Sequence, residues 1–230
     1  IILVALFMAF VIDRNYKKTL RVLQRQQEIE RIRLRISKDI HDEVGAGLTR
    51  ISLMSEAAKI EFGTNKEIGN KFSHVSETAR KMTVGLHEII WSVNPVYDNF
   101  ESLLSYISNY AYEFFEDTEL KVIINFPQQV PDIAVTPDFR RNLFLIVKEA
   151  LNNSAKHAAA KHVELKCILN GKQFIFEISD DGKGFESSNP TTKFSNGLKN
   201  MQRRAEEIKL TFSITSASSN GTVILLEGEL

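Results

Sequence analysis

Two long stretches of helical periodicity fill the first 95 residues, and they limit the possible folds more than any other feature of the sequence. No proline and few glycines interrupt the pattern from Arg14 to about Phe62, and a second run ends at Asn94-Pro95, where proline stops a helix. In each run apolar residues recur at steps of three and four, which places them on one helical face. The two stripes consist of Ile29, Ile32, Ile36, Ile40, Val44, Leu48 and Ile51, and of Ile68, Phe72, Val75, Ala79, Met82, Leu86, Ile89 and Val93.

A short turn, Gly63-Thr64-Asn65, separates the two runs, so they are predicted to form a helical hairpin. A single chain cannot cover both apolar stripes. Two hairpins side by side bury them in a four-helix bundle, which predicts a homodimer.

The second half of the chain changes from helical periodicity to alternating strands and helices. The predicted elements are a helix over 101–116, a strand over 120–126, a helix from 136 to about 158, strands over 162–169 and 172–179, a helix near 198–208, and strands over 210–214 and 223–226. Thr136-Pro137 supplies an N-cap and a first-turn proline, and Asn170-Gly171 is a strong hairpin signal. The expected fold class is therefore α + α/β, with the helical hairpin followed by an α/β sandwich.

The first twelve residues, Ile1 to Ile12, are continuously apolar, which is too short for a complete membrane span of about 20 residues. A basic segment comes directly after them, with Arg14, Lys17, Lys18, Arg21 and Arg25. Because cytoplasmic flanks of membrane helices are rich in Lys and Arg, we expect residues 1–12 to be the end of a truncated transmembrane helix. The expected location is the cell (inner) membrane, with the rest of the chain on its cytoplasmic side.

The overall composition argues against two other classes of protein. The 29 Lys and Arg residues balance 29 Asp and Glu residues, so no basic field predicts direct binding of nucleic acid. The single cysteine, Cys167, excludes an internal disulfide framework, and its strand-like surroundings predict a small core residue.

His41 lies one residue past the first apolar stripe and is followed directly by Asp42. At that boundary an imidazole is held on a rigid helix and remains accessible to a second reactant. The neighbouring carboxylate can accept the Nδ1 proton and leave Nε2 as a nucleophile. The alternative is a helix-surface histidine beside a solvated aspartate.

The predicted helix from residue 136 carries Glu149, Asn153 and His157 at steps of four, so these side chains share a face. A carboxylate and an amide oxygen one turn apart can hold a hydrated Mg²⁺ that also binds phosphate. Lys156 or His157 can reach phosphate oxygens. The alternative is that these polar residues form the solvated side of the helix.

The segment Asp180-Asp181-Gly182-Lys183-Gly184 comes directly after a predicted strand. An aspartate at a strand end can accept a hydrogen bond from an adenine amino group, and the glycines allow backbone to approach a ligand closely. The run lacks the later glutamate of an EF-hand loop, and no GxxxxGK[ST] motif occurs. Further on, Ser195-Asn196-Gly197-Leu198 opens a helix whose amides can meet phosphate, and Gly221-Thr222 forms another glycine turn.

The order of these motifs resembles the nucleotide-binding boxes of the gyrase/chaperone/histidine-kinase ATPase superfamily. The boxes are the Glu149…Asn153 helix, Asp180-x-Gly182-x-Gly184, Gly197-Leu198-x-x-Met201-x-x-Arg204-Ala205 and Gly221-Thr222. With His41-Asp42 upstream and Trp91-Ser92-Val93-Asn94-Pro95 closing the second helix, the chain is similar to sensor histidine kinases of the nitrate-sensor and membrane-fluidity-sensor group.

The resemblance implies a role for each matching residue, with ATP and Mg²⁺ as cofactors. His41 is then the phosphoacceptor and Asp42 its activating carboxylate, while Glu149 acts as or supports a base and helps to organise the metal. Asn153 ligates Mg²⁺, Asp180 binds adenine, and Gly182, Gly184 and Gly197 bracket a mobile lid over the phosphates. Leu198 and Thr222 belong to the matching boxes, and a response regulator receiver domain is the implied partner.

Two positions depart from the family pattern. Many members carry glutamine five residues after the histidine, associated with dephosphorylation of the partner, whereas this chain has Ala46. This difference puts a phosphatase activity of the usual kind in doubt. The glycine often found two positions before the Gly197 equivalent is Ser195 here, which is expected to stiffen the lid without preventing ATP binding.

The sequence therefore predicts a membrane-linked ATP-dependent histidine kinase that phosphorylates His41 and passes the phosphoryl group to an aspartate of a response regulator. The alternatives are a non-catalytic or phosphatase-biased dimeric signalling scaffold, or another ATPase on the same fold. The predicted divisions are the end of a transmembrane helix at 1–12, a juxtamembrane coiled-coil helix at 13–35, the dimerisation and phosphotransfer hairpin at 36–95, a connecting helix at 96–118 and the ATP-binding domain at 119–230.

Overall fold

The computed structural model describes residues 2–62, 65–185, 196–218 and 220–230. The predicted turn residues Gly63 and Thr64, and Ser195, lie outside the described residues. The chain divides into two compact units, residues 1–95 and 96–230.

The first unit is built from long helices, which confirms the predicted helical hairpin. Its elements are α1 (Ile2–Asp39), a π-helical turn (Ile40–Gly45), α2 (Ala46–Glu61) and α3 (Lys66–Val93), and a 3₁₀ turn (Pro95–Tyr97) comes after α3. Asn65 caps α3, because its side-chain oxygen accepts hydrogen bonds from the backbone N–H groups of Glu67 at 3.1 Å and Ile68 at 3.3 Å. At the other end of α3, Nε of Arg33 donates to the Val93 carbonyl at 2.9 Å, which places a positive charge at the helix C-terminus.

The hairpin packs through small side chains. Ser52 and Ser55 of α2 and Ser76 and Ala79 of α3 are buried, and the hydroxyl oxygens of Ser52 and Ser76 lie 3.2 Å apart. Most of the predicted apolar stripe stays exposed in the single chain, namely Ile29, Ile32, Ile36, Val44, Ile51, Ile68, Val75, Met82 and Ile89. Among the described residues, no helix is both long enough and apolar enough to span a bilayer.

In its described residues, the second unit consists of a five-stranded mixed sheet and three helices, which confirms the predicted α/β sandwich. Its strands are β1 (Lys121–Asn125), β2 (His162–Asn170), β3 (Gln173–Asp180), β4 (Thr211–Ser216) and β5 (Thr222–Glu229). Its helices are α4 (Phe100–Phe115), α5 (Pro137–Asn153) with a π-helical turn at Ser154–Ala158, and α6 (Asn196–Glu207). The strand order is β1-β2-β3-β5-β4, with β1 parallel to β2 and the other pairs antiparallel.

The core of this unit lies on one face of the sheet, where alternate strand residues are buried. These residues are Val163, Leu165, Cys167, Phe174, Phe176, Ile178, Ile224 and Leu226. Burial raises the pKa of the Cys167 thiol to about 12, so the side chain is a neutral core residue, as predicted. On the helical side, Thr136 caps α5 by accepting a hydrogen bond from the Phe139 N–H at 3.1 Å, which confirms the predicted N-cap.

A buried ion pair ties the start of this unit to α5. Arg140 is fully buried, and its Nη2 lies 3.0 Å from Oδ1 of Asp98. Two backbone hydrogen bonds join the same segments. The N–H of Val135 donates to the Asp98 carbonyl at 3.1 Å, and the N–H of Phe100 donates to the Ile133 carbonyl at 2.9 Å. The residues preceding α4 and those preceding α5 are therefore held together.

Asp98→Asn should destabilise the second unit by about 2 to 3 kcal/mol, because it removes the negative charge beside the buried Arg140 guanidinium. Urea unfolding monitored by circular dichroism at pH 7 measures the change. Asp132→Asn is the matched control, since Asp132 is exposed in the same region, and it should change stability by less than about 0.5 kcal/mol. Equal stability of the two variants would contradict a structural role for the ion pair.

Candidate functional site

His41 lies in the π-helical turn between α1 and α2, with its side chain 60% exposed. Its Nδ1 is 3.1 Å from Oδ1 of Asp42, whose side chain is 57% exposed. A carboxylate that accepts the Nδ1 proton leaves the lone pair of the imidazole on Nε2. The arrangement therefore provides an oriented, accessible nitrogen nucleophile.

The π-helical turn is a difference from the regular helix that the sequence predicted at residues 40–45. A π turn accommodates one extra residue, which shifts the helical phase of the residues after it by about 100°. Such turns occur frequently at functional sites. Apolar periodicity does not reveal the turn, because the stripe residues continue on both sides of it.

A pocket of about 340 Å³ in the second unit lies between the C-terminal part of α5 and the ends of β3, β4 and β5. Paired strand residues build its wall. Ile178, Ile224 and Ile214 are register partners across β3, β5 and β4, and Asp180, Thr222 and Ser216 form the next row in the same direction. The first row supplies an apolar surface, and Asp180 and Thr222 of the second row supply polar groups beside it, a combination suited to a heterocyclic ligand.

Asp180 is the central polar group of this pocket. Its Oδ1 accepts a hydrogen bond from the N–H of Gly182 at 3.0 Å, and the hydroxyl oxygen of Ser154 lies 3.2 Å from Oδ2. Because a carboxylate has about four acceptor positions, Asp180 retains the capacity to accept a further donor from a ligand.

Glycine is required where the segment after β3 meets α5. A Cβ on Gly182 would lie 2.5 Å from the carbonyl oxygen of Ala158, so only glycine allows this approach. The adjacent Lys183 N–H donates to the same carbonyl at 2.8 Å. Gly184 has a φ of +59°, and a Cβ there would lie 2.1 Å from the carbonyl oxygen of Ala217.

The structure brings most of the predicted nucleotide-site residues together. Asn153, His157, Asp180, Gly184, Leu198 and Thr222 line the pocket, and Gly182 forms its adjoining turn. Lys156 is exposed and is absent from the lining in the described part of the chain. The predicted lid between Gly184 and Gly197 lies mostly outside the described residues.

Glu149 lies one helical turn before Asn153 on α5, but it does not line the 340 Å³ pocket in the part of the chain that the structure describes. It lines a neighbouring cavity of about 280 Å³ together with residues of α4 and α6, and a Cβ on Gly197 would lie 2.2 Å from its Oε1. Within the ranges that the structure describes, no cluster of three or more His, Cys, Asp or Glu side chains could hold a metal. A cation at Asn153 would therefore depend on ligand oxygens as well as on the protein.

Several residues of the site were not predicted. Ser154, Lys183 and Phe185 line the pocket, as do Ile178, Ile214 and Ile224. The isoleucines could have been found from strand alternation, since Ile178 is two residues before Asp180 on the same face. Ser154 has no such signal, because its approach to Asp180 depends on the π-helical turn at the end of α5.

Asp181 is a structural residue whose role the sequence did not reveal. Its Oδ1 accepts hydrogen bonds from the N–H groups of His162 at 2.9 Å and Lys161 at 2.7 Å, and Oδ2 lies 2.8 Å from Nδ1 of His162. The backbone and side-chain hydrogen bonds from His162, followed by that from Lys161, lower the pKa of Asp181 to about 2. Asp181 thus holds the start of β2 against the end of β3.

Two family profiles match the chain in succession. Residues 33–98 match a family described as histidine kinase, and residues 139–228 match the family of histidine kinase-, DNA gyrase B- and HSP90-like ATPases. The first match contains His41 and Asp42, and the second contains every residue that lines the 340 Å³ pocket.

Curated relatives include proteins named sensor protein VraS. The protein from Staphylococcus epidermidis is 28% identical over 204 residues, and that from Staphylococcus aureus is 26% identical over 202 residues. Each alignment covers 88% of this chain and 56% of the relative, so the chain spans just over half the length of these proteins.

Solved structures with a similar fold include the histidine kinase domain of the blue-light activated histidine kinase EL346 from Erythrobacter litoralis. It has a TM-score of 0.52 and 15% identity, over 80% of this chain and 94% of that one. Full-length ShkA in complex with AMPPNP has a TM-score of 0.52 and 14% identity, over 85% and 45% of the two chains. At these identities the likeness establishes the fold alone.

Asp181→Asn should lower stability at pH 7, and the difference from the unsubstituted chain should shrink as the pH falls from about 4 towards about 2. The carboxyl pKa is lower in the folded chain than its usual value of 3.8, so ionised Asp181 stabilises the fold above that value, and the contribution is lost as the pH falls through about 2. Urea midpoints at pH 7, 5 and 3 measure the trend. Asp117→Asn, at an exposed position, is the control, and a difference that grows on acidification would refute the assignment.

Proposed function

Because the chain belongs to the sensor histidine kinases of two-component systems, we propose that it uses ATP to phosphorylate His41 and then transfers the phosphoryl group to an aspartate of a response regulator. One observation carries the proposal: an exposed histidine with Nδ1 on a carboxylate and a pocket centred on Asp180 occur in the same chain, each within its own family match.

The pocket has the chemistry that an adenine nucleotide needs. The row of Ile178, Ile224 and Ile214 offers an apolar surface to a flat purine, and Asp180 offers a carboxylate oxygen to its exocyclic amino group. A volume of about 340 Å³ lies within the usual range for small-molecule sites, which is roughly 300 to 1,000 Å³. Lys183 and His157 on the rim supply side chains that can meet phosphate oxygens.

The amide oxygen of Asn153 is the pocket group best suited to a hydrated Mg²⁺. A bound Mg²⁺ would supply positive charge that neutralises the phosphates. We propose that Glu149, one turn before Asn153 on α5, acts as or supports a base. Its carboxylate lies against Gly197 at the start of α6. Because of this contact, a change in the position of α6, the helix after the predicted lid, would also move the Glu149 carboxylate.

The transfer step is determined by the chemistry of the imidazole. Nε2 of His41 attacks the γ-phosphorus, an N–P bond forms, the bond to the bridging oxygen breaks, and ADP leaves. The Nδ1 proton stays between His41 and Asp42, so the carboxylate balances the positive charge that develops on the ring. The phosphoryl group then passes from Nε2 to a carboxylate oxygen of the receiver domain.

We also propose that the chain works as a homodimer attached to a membrane. The exposed stripe on the helical hairpin supports the dimer, since a second hairpin would cover it in a four-helix bundle. The apolar residues at 1–12 and the basic segment after them support attachment at the inner face of the cell membrane. Ala46 favours a kinase without the usual phosphatase activity.

Asp180→Asn should weaken binding of a fluorescent ATP analogue at least about tenfold. The substitution removes the negative charge and replaces one acceptor oxygen with an NH₂ group, which can only donate. Fluorescence titration with Mg²⁺ present measures the dissociation constant. Asp138→Asn, at an exposed position at the start of α5, is the matched control and should bind normally. Unchanged affinity of Asp180→Asn would overturn the assignment of this pocket.

His41→Gln should bind the ATP analogue normally and take up no label from γ-labelled ATP, because it lacks the nucleophilic nitrogen. Label on the unsubstituted chain should be lost in acid and kept in base, as a phosphoramidate requires. Acid-stable label would contradict the proposed chemistry. Label that persists on His41→Gln would show that another residue accepts the phosphoryl group. Incubation of the labelled chain with candidate receiver domains then tests the second transfer.

A further inference from the structure

A second histidine lies against His41. His87 on α3 has its ring centroid 6.1 Å from that of His41, and the two ring planes are inclined by 29°, which is a stacked arrangement. Both side chains belong to the helical hairpin. The sequence offered no reason to assign His87 a role, because it lies far from His41 along the chain.

The contact results from the local packing of the hairpin. The helices come close at this level, since a Cβ on Gly45 would be 3.8 Å from Cδ2 of Leu86, the residue before His87. The π-helical turn that carries His41 ends at Gly45. The turn and the register of α3 together place the two imidazoles side by side.

Asp42 and His87 constrain the His41 ring in different ways. Asp42 contacts one edge through Nδ1, which limits rotation of the ring about its bond to Cβ. Stacking on His87 restrains the plane of the ring. The His41 side chain is 60% exposed, and these two neighbours restrain the direction of Nε2.

We infer that His87 is a positioning residue, which holds the His41 imidazole in the orientation needed for phosphoryl transfer. The inference rests on the proposed role of His41 as phosphoacceptor. Rates of such transfers depend steeply on the alignment of the nucleophile, so a restraint of the strength of an aromatic pair corresponds to a rate factor of about two to ten. The ring of His87 supplies the restraint, and its nitrogens are not required.

Two substitutions distinguish the effect of the flat ring of His87 from the effect of its nitrogens. His87→Leu removes the flat ring and should lower kcat for labelling of His41 about two- to tenfold, with the KM for ATP unchanged because the nucleotide binds to the other unit. His87→Phe keeps a flat ring and should restore kcat to within about twofold of the unsubstituted chain. His74→Leu, at another exposed histidine on α3, is the matched control and should leave kcat unchanged.

A spectroscopic measurement on the full chain without ATP tests the contact independently of catalysis. With the five histidines labelled with ¹⁵N, the ring resonances of His41 should shift in His87→Leu through loss of the neighbouring ring current, and should not shift in His74→Leu. His41→Gln identifies the His41 signals.

The outcomes distinguish the inference from the proposed function. If the unsubstituted chain takes no label, the proposed function fails, whatever the spectra show. If it is labelled and His87→Leu keeps full kcat or leaves the His41 resonances unmoved, the positioning role is wrong. A loss of kcat in His87→Phe equal to that in His87→Leu would also overturn the inference, since the nitrogens would then be essential.

Discussion

The proposed nucleotide pocket depends on a close approach between the backbone at the end of β3 and the backbone at the end of α5. Three consecutive residues make it possible: Asp180 contacts Ser154, Asp181 holds the start of β2, and Gly182 lies against Ala158 where no side chain fits. Because polar groups in a low-dielectric pocket are effective only when held in place, this junction is what makes the Asp180 carboxylate a specific acceptor.

In the helical hairpin, by contrast, the candidate functional group, the His41 imidazole, is exposed rather than enclosed in a pocket. Small residues such as Ser52, Ser76 and Ala79 bring α2 and α3 together, while much of the apolar stripe has no cover in the single chain. In the proposed function the His41 nucleophile meets a nucleotide and then a partner protein, so it has to remain accessible. Orientation of His41 therefore depends on immediate neighbours, Asp42 along the chain and His87 across the hairpin.

Sequence periodicity predicted the type and order of the elements well, because burial of apolar faces imposes periods of 3.6 and 2 on a sequence. Cys167 lies in the core for the same reason, whereas the predicted N-cap at Thr136 and the hairpin turn at Asn170-Gly171 are present because of local side-chain and backbone chemistry. The π-helical turns at Ile40–Gly45 and Ser154–Ala158 escaped prediction. Through the first of them apolar residues continue at steps of four, a spacing that equally fits a regular α-helix.

The sequence by itself determined the two units, their fold classes and the residue types available for phosphoryl chemistry, because spacing and local turn chemistry are properties of neighbouring residues. Only the tertiary structure decided which of these residues meet. It joined Ile178, Ile224 and Ile214 into one wall, placed Asn153 and Glu149 against different pockets, buried Arg140 beside Asp98 and stacked His87 on His41. Such contacts depend on strand register and helix phase, which are set by packing between segments distant in sequence.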